Sequence, residues 1–171
     1  MTREELLKIA KPILFNTEMV QAILEGRKSV TRRIIKPRYK EGEGGFQVCT
    51  NKDTGEWWVE KVDEDGCGIF PDGSIRYVNP PYKLGDILYV RETFCEVPYE
   101  YEHIPIKNGH ITVPKIAYRA DSEIDYTGIW KPSIHMPKEL ARIFLKVTDV
   151  RVERLLDMSI EDMIREGVKV S

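Results

Sequence analysis

The stretch "GRKSVTRR", Gly26 to Arg33, sets Arg27, Lys28, Arg32 and Arg33 around the hydroxyls of Ser29 and Thr31. Three kinds of role fit those residue types. Lys and Arg on a strand edge discourage unwanted pairing, which makes the group a solvated basic edge. Guanidinium forks and an ammonium also hold phosphate, which makes it a site for a nucleotide or a nucleic-acid backbone through Lys28, Arg32 and Arg33, with Arg27 a further substrate-binding candidate. The third role is catalysis: Thr31 supplies a hydroxyl, and Lys28 serves as its base if the neighbouring guanidinium charges lower its pKa. Spacing alone does not choose among them.

The rest of the chain makes the cluster stand out. Its 171 residues are 42% hydrophobic and 32% charged, with a formal net charge of −2. That length fits one domain with embellishments and suffices for a core. A general nucleic-acid binder is basic over its whole domain, so an anion site in this chain has to be local. The three cysteines, Cys49, Cys67 and Cys95, are odd in number and far apart. Neither they nor the three histidines have zinc-ligand spacing, so no metal or cofactor is expected and the chain reads as reduced and cytoplasmic. The N-terminus "MTREELLKIA" is charged, and no stretch approaches ~18 apolar residues, so neither secretion nor a membrane partner is expected.

Several elements are predicted to position the cluster. Thr2 and Glu5 form a capping-box pattern ahead of "REELLKI". Ile13 to Phe15 reads as a short buried strand, and Asn16 caps a helix through "TEMVQAILE", which Gly26 closes. A strand is predicted from about Ser29 to Ile35, with Thr31 and Arg33 on one face and Lys28 reaching back over it. Residues 38 to 80 are an excursion with hairpins around Asp53 to Gly55 and Pro71 to Gly73, in which the adjacent Trp57 and Trp58 face opposite ways. Beyond it, Ile87 to Arg91 is a strong strand, "KIAYRA" another, and Pro137 opens a short helix. "ARIFLKVTDVRVERL" is predicted to be a central strand, and Ser159 to cap a helix "IEDMIRE" that Gly167 ends. Many short strands with few helices argue for an α+β fold, a small mixed β-barrel with short helices packed at its ends.

"ILEGRKSVTRR", then "YKLGDILYV", then "VTDVRVERLLDMSIEDMIREGV" resemble, in that order, the ASCH family, a branch of the PUA-like β-barrel superfamily. "WKPSIHMP" is similar to its longer, phage- and prophage-associated members. The resemblance covers most of the chain outside the 38 to 80 excursion and implies a single PUA-like domain. Small bacterial members of the family hydrolyse the acyl amide of acetylcytidine, using a GRKT-x-T-x-R motif and a Glu before a Gly in the late helix. Other members are thought to bind RNA, and some act as ribonucleases. Carried over, the Lys is Lys28, the Thr is Thr31, the Arg is Arg33 and the Glu is Glu166; Ser29 replaces the motif's first Thr.

The resemblance therefore implies RNA or a modified nucleoside as partner, and amide hydrolysis as one possible chemistry. Thr31 would attack or hold a water, Lys28 take the proton, Glu166 orient Lys28 or protonate the leaving amine, and Arg33 stabilise the oxyanion. A bland alternative is that Lys28 and Glu166 form a salt bridge tying helix to barrel. Arg91, Trp130 and His135 are further substrate-binding candidates, with Glu92 placed to pair with Arg91. Members of this type continue past the "EGV" helix into a strand that completes the barrel. Because this sequence stops at Ser171, either the chain is shortened or another chain supplies the missing pairing, the latter expected as a homodimer through an open barrel edge.

Overall fold

The structure, a computed structural model, describes residues 1–34, 43–52, 57–97, 103–106, 109–112, 115–121, 129–153 and 155–168. The chain divides into two compact units, one of Met1–Thr31, Gly85–Thr148 and Leu155–Ser171, the other of Arg32–Leu84 and Asp149–Arg154. The fold is mixed α+β. Among the described residues the strands form four separate sheets, none closed into a barrel, and no helix is long and apolar enough to cross a membrane.

In the first unit α1 (Arg3–Ile9) begins with the expected capping box between Thr2 and Glu5. β1 (Lys11–Leu14) follows, and α2 (Thr17–Leu24) is capped by the Asn16 side chain accepting from the Met19 amide. β5 (Ile87–Arg91) is the middle strand of a sheet, with β1 parallel on one side and β10 (Phe144–Lys146) antiparallel on the other. The long alternating run around β10 is thus an edge with three strand residues, not a central strand. Past Lys146 the ladder to β5 ends, and Val147 exchanges bonds with Gly85 and Asp86 at the turn before β5.

Alternation gives β5 two faces. On one, Tyr89 packs with Ala10, Phe94, Met136 and Ala141 in a buried cluster. On the other, Val90 is paired in register with Ile13, and both are buried. β6 (Phe94–Glu96) pairs antiparallel with β9 (Ile116–Tyr118), and β7 (His103–Ile106) with β8 (Gly109–Thr112). Pro137 is the cap of a single 3-10 turn, Lys138–Leu140, in place of the first residue of a helix. α3 (Ile160–Arg165) has the expected Ser159 cap, extended to a capping box with Asp162.

The second unit holds the sheet β2 (Glu43–Thr50), β3 (Trp57–Asp63) and β4 (Tyr77–Val78), antiparallel throughout. The expected hairpin around Asp53 to Gly55 corresponds to the β2–β3 pair, whose turn residues lie outside those described. Around Pro71 to Gly73 only a turn forms, in which Phe70 donates to Ser74 O, and the strand after it, β4, pairs with β3 instead of closing a second hairpin. The register pairs Gln47 with Glu60 and Cys49 with Trp58 on one face. There the Glu60 carboxylate accepts from Gln47 Nε2 at 2.6 Å, Cys49 Sγ at 3.2 Å and Trp58 Nε1 at 3.2 Å. The Gln47 bond, then the Cys49 bond, hold the Glu60 carboxyl below its ordinary value. Burial, then Glu60 itself, push the Cys49 thiol up.

The expected strand from Ser29 is absent: residues 27–34 adopt no regular secondary structure. Their amides are consumed elsewhere. Arg27 and Lys28 donate to Ala22 O at 2.8 and 2.9 Å, and Ser29 and Val30 to Arg165 O at 2.9 and 3.1 Å. The first two amides of the expected strand, Ser29 and Val30, are thereby taken by a helix end and are not available for a strand ladder.

Candidate functional site

Two helices end on this segment in the same way. α2 ends Leu24-Glu25-Gly26-Arg27 and α3 ends Arg165-Glu166-Gly167-Val168. In each, the glycine has positive φ, +73° at Gly26 and +93° at Gly167. The glycine amide bonds back to Ile23 O or Ile164 O, and the next amide to Ala22 O or Met163 O, which is the Schellman arrangement. The helix ends touch. A Cβ on Gly167 would lie 2.7 Å from Ala22 Cβ and 3.2 Å from Lys28 Cβ.

Lys28 sits where these ends converge, its side chain 2% exposed. Its ammonium donates to Val30 O at 2.7 Å, Glu166 O at 2.8 Å and Glu166 Oε2 at 2.8 Å, and lies 5.7 Å from the Phe15 ring centroid. Those three acceptors take all the N–H donors an ammonium has, and an ammonium has no lone pair. In this state Lys28 fixes the Glu166 carboxylate and does not act as a base. Arg27 donates from Nη1 to Gly167 O at 2.7 Å and from Nε to Glu25 Oε2 at 2.5 Å.

Of the residues singled out from sequence, Lys28, Glu166 and Arg27 are brought together. Thr31 follows one residue after the carbonyl that Lys28 grips, but its hydroxyl oxygen is buried and has no hydrogen-bond partner, neither Lys28 nor Glu166. Arg33 is exposed and belongs to the second unit, where Arg32 pairs with Glu153 at 3.0 Å. The face alternation expected for Thr31 and Arg33 does not apply, since the strand is not formed.

Arg91, Trp130 and His135 form a separate group. Phe15, whose amide donates to Arg91 O at 3.1 Å, continues the alternation of Ile13, so Lys28 above its ring is on the Ile13 and Val90 side of the sheet. Arg91 shares the Tyr89 side and donates from Nη2 to Ile134 O, with its Nε buried and without a partner. Trp130 packs against Cys95, Val97 and Ala117, with the Arg119 guanidinium 4.9 Å from its ring. His135 is exposed in the 3-10 turn Ser133–His135. The structure does not bring these three to Lys28.

Glu92 pairs with Arg142 and not with Arg91. It is 1% exposed and receives both Arg142 Nε and Nη2 at 2.8 Å. Arg142 also bonds Asp121 and lies 4.1 Å from the Tyr118 ring centroid. Burial works against the Arg142 charge, but its bonds to Glu92 and Asp121 outweigh it and raise its pKa. Sequence reasoning missed this cluster because its members are far apart in the chain. By contrast, Gly26 and Gly167 were visible in the sequence as helix ends, although nothing there shows that the two ends converge at Lys28.

Elsewhere, too, long cations occupy carbonyls at the ends of short helices. Lys138 donates to Ala10 O after α1 at 2.9 Å, and Arg3 to Glu139 O and Ala141 O around Lys138–Leu140. Cations suit such ends, where carbonyls lack partners and the helix dipole is negative. No protein-family model, curated protein or solved structure matches the chain.

Proposed function

We propose that the chain is an ASCH-type protein of PUA-like architecture that binds a modified nucleoside at Lys28, Thr31 and Glu166 and hydrolyses the acylated exocyclic amide of a cytidine. The observation that carries this reading is the Lys28–Glu166 bond of 2.8 Å across 138 positions; Thr31, three residues after Lys28 in the chain, has a buried hydroxyl with no partner. A buried hydroxyl left unbonded is costly. A ligand that bonds it would remove that cost, which makes the position a natural reaction point.

In this mechanism the Thr31 oxygen attacks the acyl carbon or positions the water that does. The C–N bond breaks as the C–O bond forms. Glu166, held by Lys28, takes the proton from the attacking hydroxyl or water and passes it to the departing amine; where Thr31 itself attacks, water then cleaves the acetyl ester, releasing acetate and restoring the Thr31 hydroxyl. The test is incubation with acetylcytidine, following release of cytidine and acetate. Thr31→Val and Glu166→Gln are each expected to lower turnover by about a hundredfold or more. Thr31→Val is expected to leave the melting temperature unchanged or higher, since it removes an unbonded hydroxyl. Turnover indifferent to both changes rejects the site.

One observation favours a second reading. With every Lys28 donor engaged and no lone pair left to act as a base, the same segment would serve a non-catalytic module that recognises RNA chiefly by shape. Salt-sensitive binding of labelled RNA that stays intact, with no acetylcytidine turnover by the wild type, selects that reading; cleavage of the RNA selects a ribonuclease.

A further inference from the structure

Arg27, Lys28, Ser29 and Val30 all donate to the C-terminal end of α3. Ser29 and Val30 give their backbone N–H groups to Arg165 O, at 2.9 and 3.1 Å. Lys28 Nζ holds Glu166 O and Glu166 Oε2, both at 2.8 Å, and Arg27 Nη1 holds Gly167 O at 2.7 Å. The acceptors are oxygens of three successive residues, one of them an anionic carboxylate, at the negative pole of a helix. Successive backbone N–H groups flanked by an ammonium and a guanidinium make the donor set that binds oxyanions.

The plug itself is lightly held. α3 carries no buried residue, and Ile160 and Ile164 are 68% and 45% exposed. Elements with little buried apolar surface open locally at low cost. Access to the cradle depends on that opening, because the Lys28 side chain is almost fully covered while Glu166 is docked.

We propose that residues Arg27–Val30 form an oxyanion-binding cradle that the end of α3 plugs, and that a phosphate group takes the cradle by displacing it. Phosphate oxygens replace those of Arg165, Glu166 and Gly167, and the Glu166 carboxylate passes to water. Glu25 stays on the Nε edge of Arg27 and holds the guanidinium in place. The proposal shares Lys28 with the nucleoside site and rests on that reading only for the natural ligand, a nucleotide phosphate.

The experiment is hydrogen exchange on the full chain titrated with inorganic phosphate, against chloride at matched ionic strength. The reporters are the Glu166, Gly167 and Val168 amides, bonded to Asp162 O, Ile164 O and Met163 O. If phosphate binds only the open form, their exchange quickens about tenfold when phosphate stands roughly tenfold above its Kd for that open form. Arg27→Gln is expected to move the titration to higher phosphate and Glu166→Gln to lower. Unchanged exchange, slower exchange, or equal quickening by chloride each overturns the proposal. Acetylcytidine turnover by the same wild-type sample separates the readings: phosphate-driven opening without turnover leaves the cradle standing and removes hydrolysis.

Discussion

The two helix-ending glycines allow a controlled test of the convergence at Lys28. Both have positive φ, so replacing either with Ala brings the left-handed cost of an L-residue, about 1–2 kcal/mol. They differ in what the new methyl meets. At Gly26 nothing lies within 4 Å, so Gly26→Ala should cost only that backbone term. At Gly167 the methyl would fall 2.7 Å from Ala22 Cβ and 3.2 Å from Lys28 Cβ. Neither neighbour is the end of a flexible side chain, so backbone has to shift. Overpacking of this kind adds about 1–3 kcal/mol, bringing Gly167→Ala to roughly 2–5 kcal/mol. Denaturant unfolding of the two variants gives the difference directly. Hydrogen exchange at Glu166 to Val168 then shows whether α3 lifts away to avoid the clash, in which case those amides lose protection more than the global stability loss explains. Equal costs for the two variants, within about 0.5 kcal/mol, would mean that the helix ends do not abut and that Lys28 is not enclosed between them.

Two other predictions concern buried and networked charge. Glu92→Gln or Arg142→Met alone should destabilise by about 3–5 kcal/mol because each strands its partner, while Glu92→Leu combined with Arg142→Met should recover much of the loss in a double-mutant cycle. Glu60 has a folded pKa below its unfolded one, so the stability it contributes is fully present above the unfolded carboxylate value and is lost as pH falls through the folded value. Acid unfolding curves should therefore flatten in Glu60→Gln; an unchanged acid limb refutes the hydrogen-bonded role of that carboxylate.

How much could be read from the sequence depended on how local each signal was. Thr2, Asn16 and Ser159 cap helices through bonds to amides three residues on, so their patterns sufficed. Ile87 to Arg91 is apolar over most of its length and lies at the centre of a sheet, where pattern and burial agree. Ser29 to Ile35 looked like a strand because β-branched residues alternate there. The pattern was overridden by Arg165 O, which takes two of its amides from far along the chain. In the same way, Lys28 and Glu166 were paired through a resemblance, and no spacing rule links residues so distant. The Thr31 hydroxyl was expected within reach of both, a placement that relied on the strand.

The dependence of Ser29 and Val30 on Arg165 also bears on the order of events during synthesis. Chains emerge from the amino end, so the early turn leaves the ribosome with its amides and two cations facing water, and stays so until the late helix arrives. Most of the molecule is made before this basic turn can be closed, which leaves a long interval in which polyanions can reach the Lys28 ammonium that the finished protein covers.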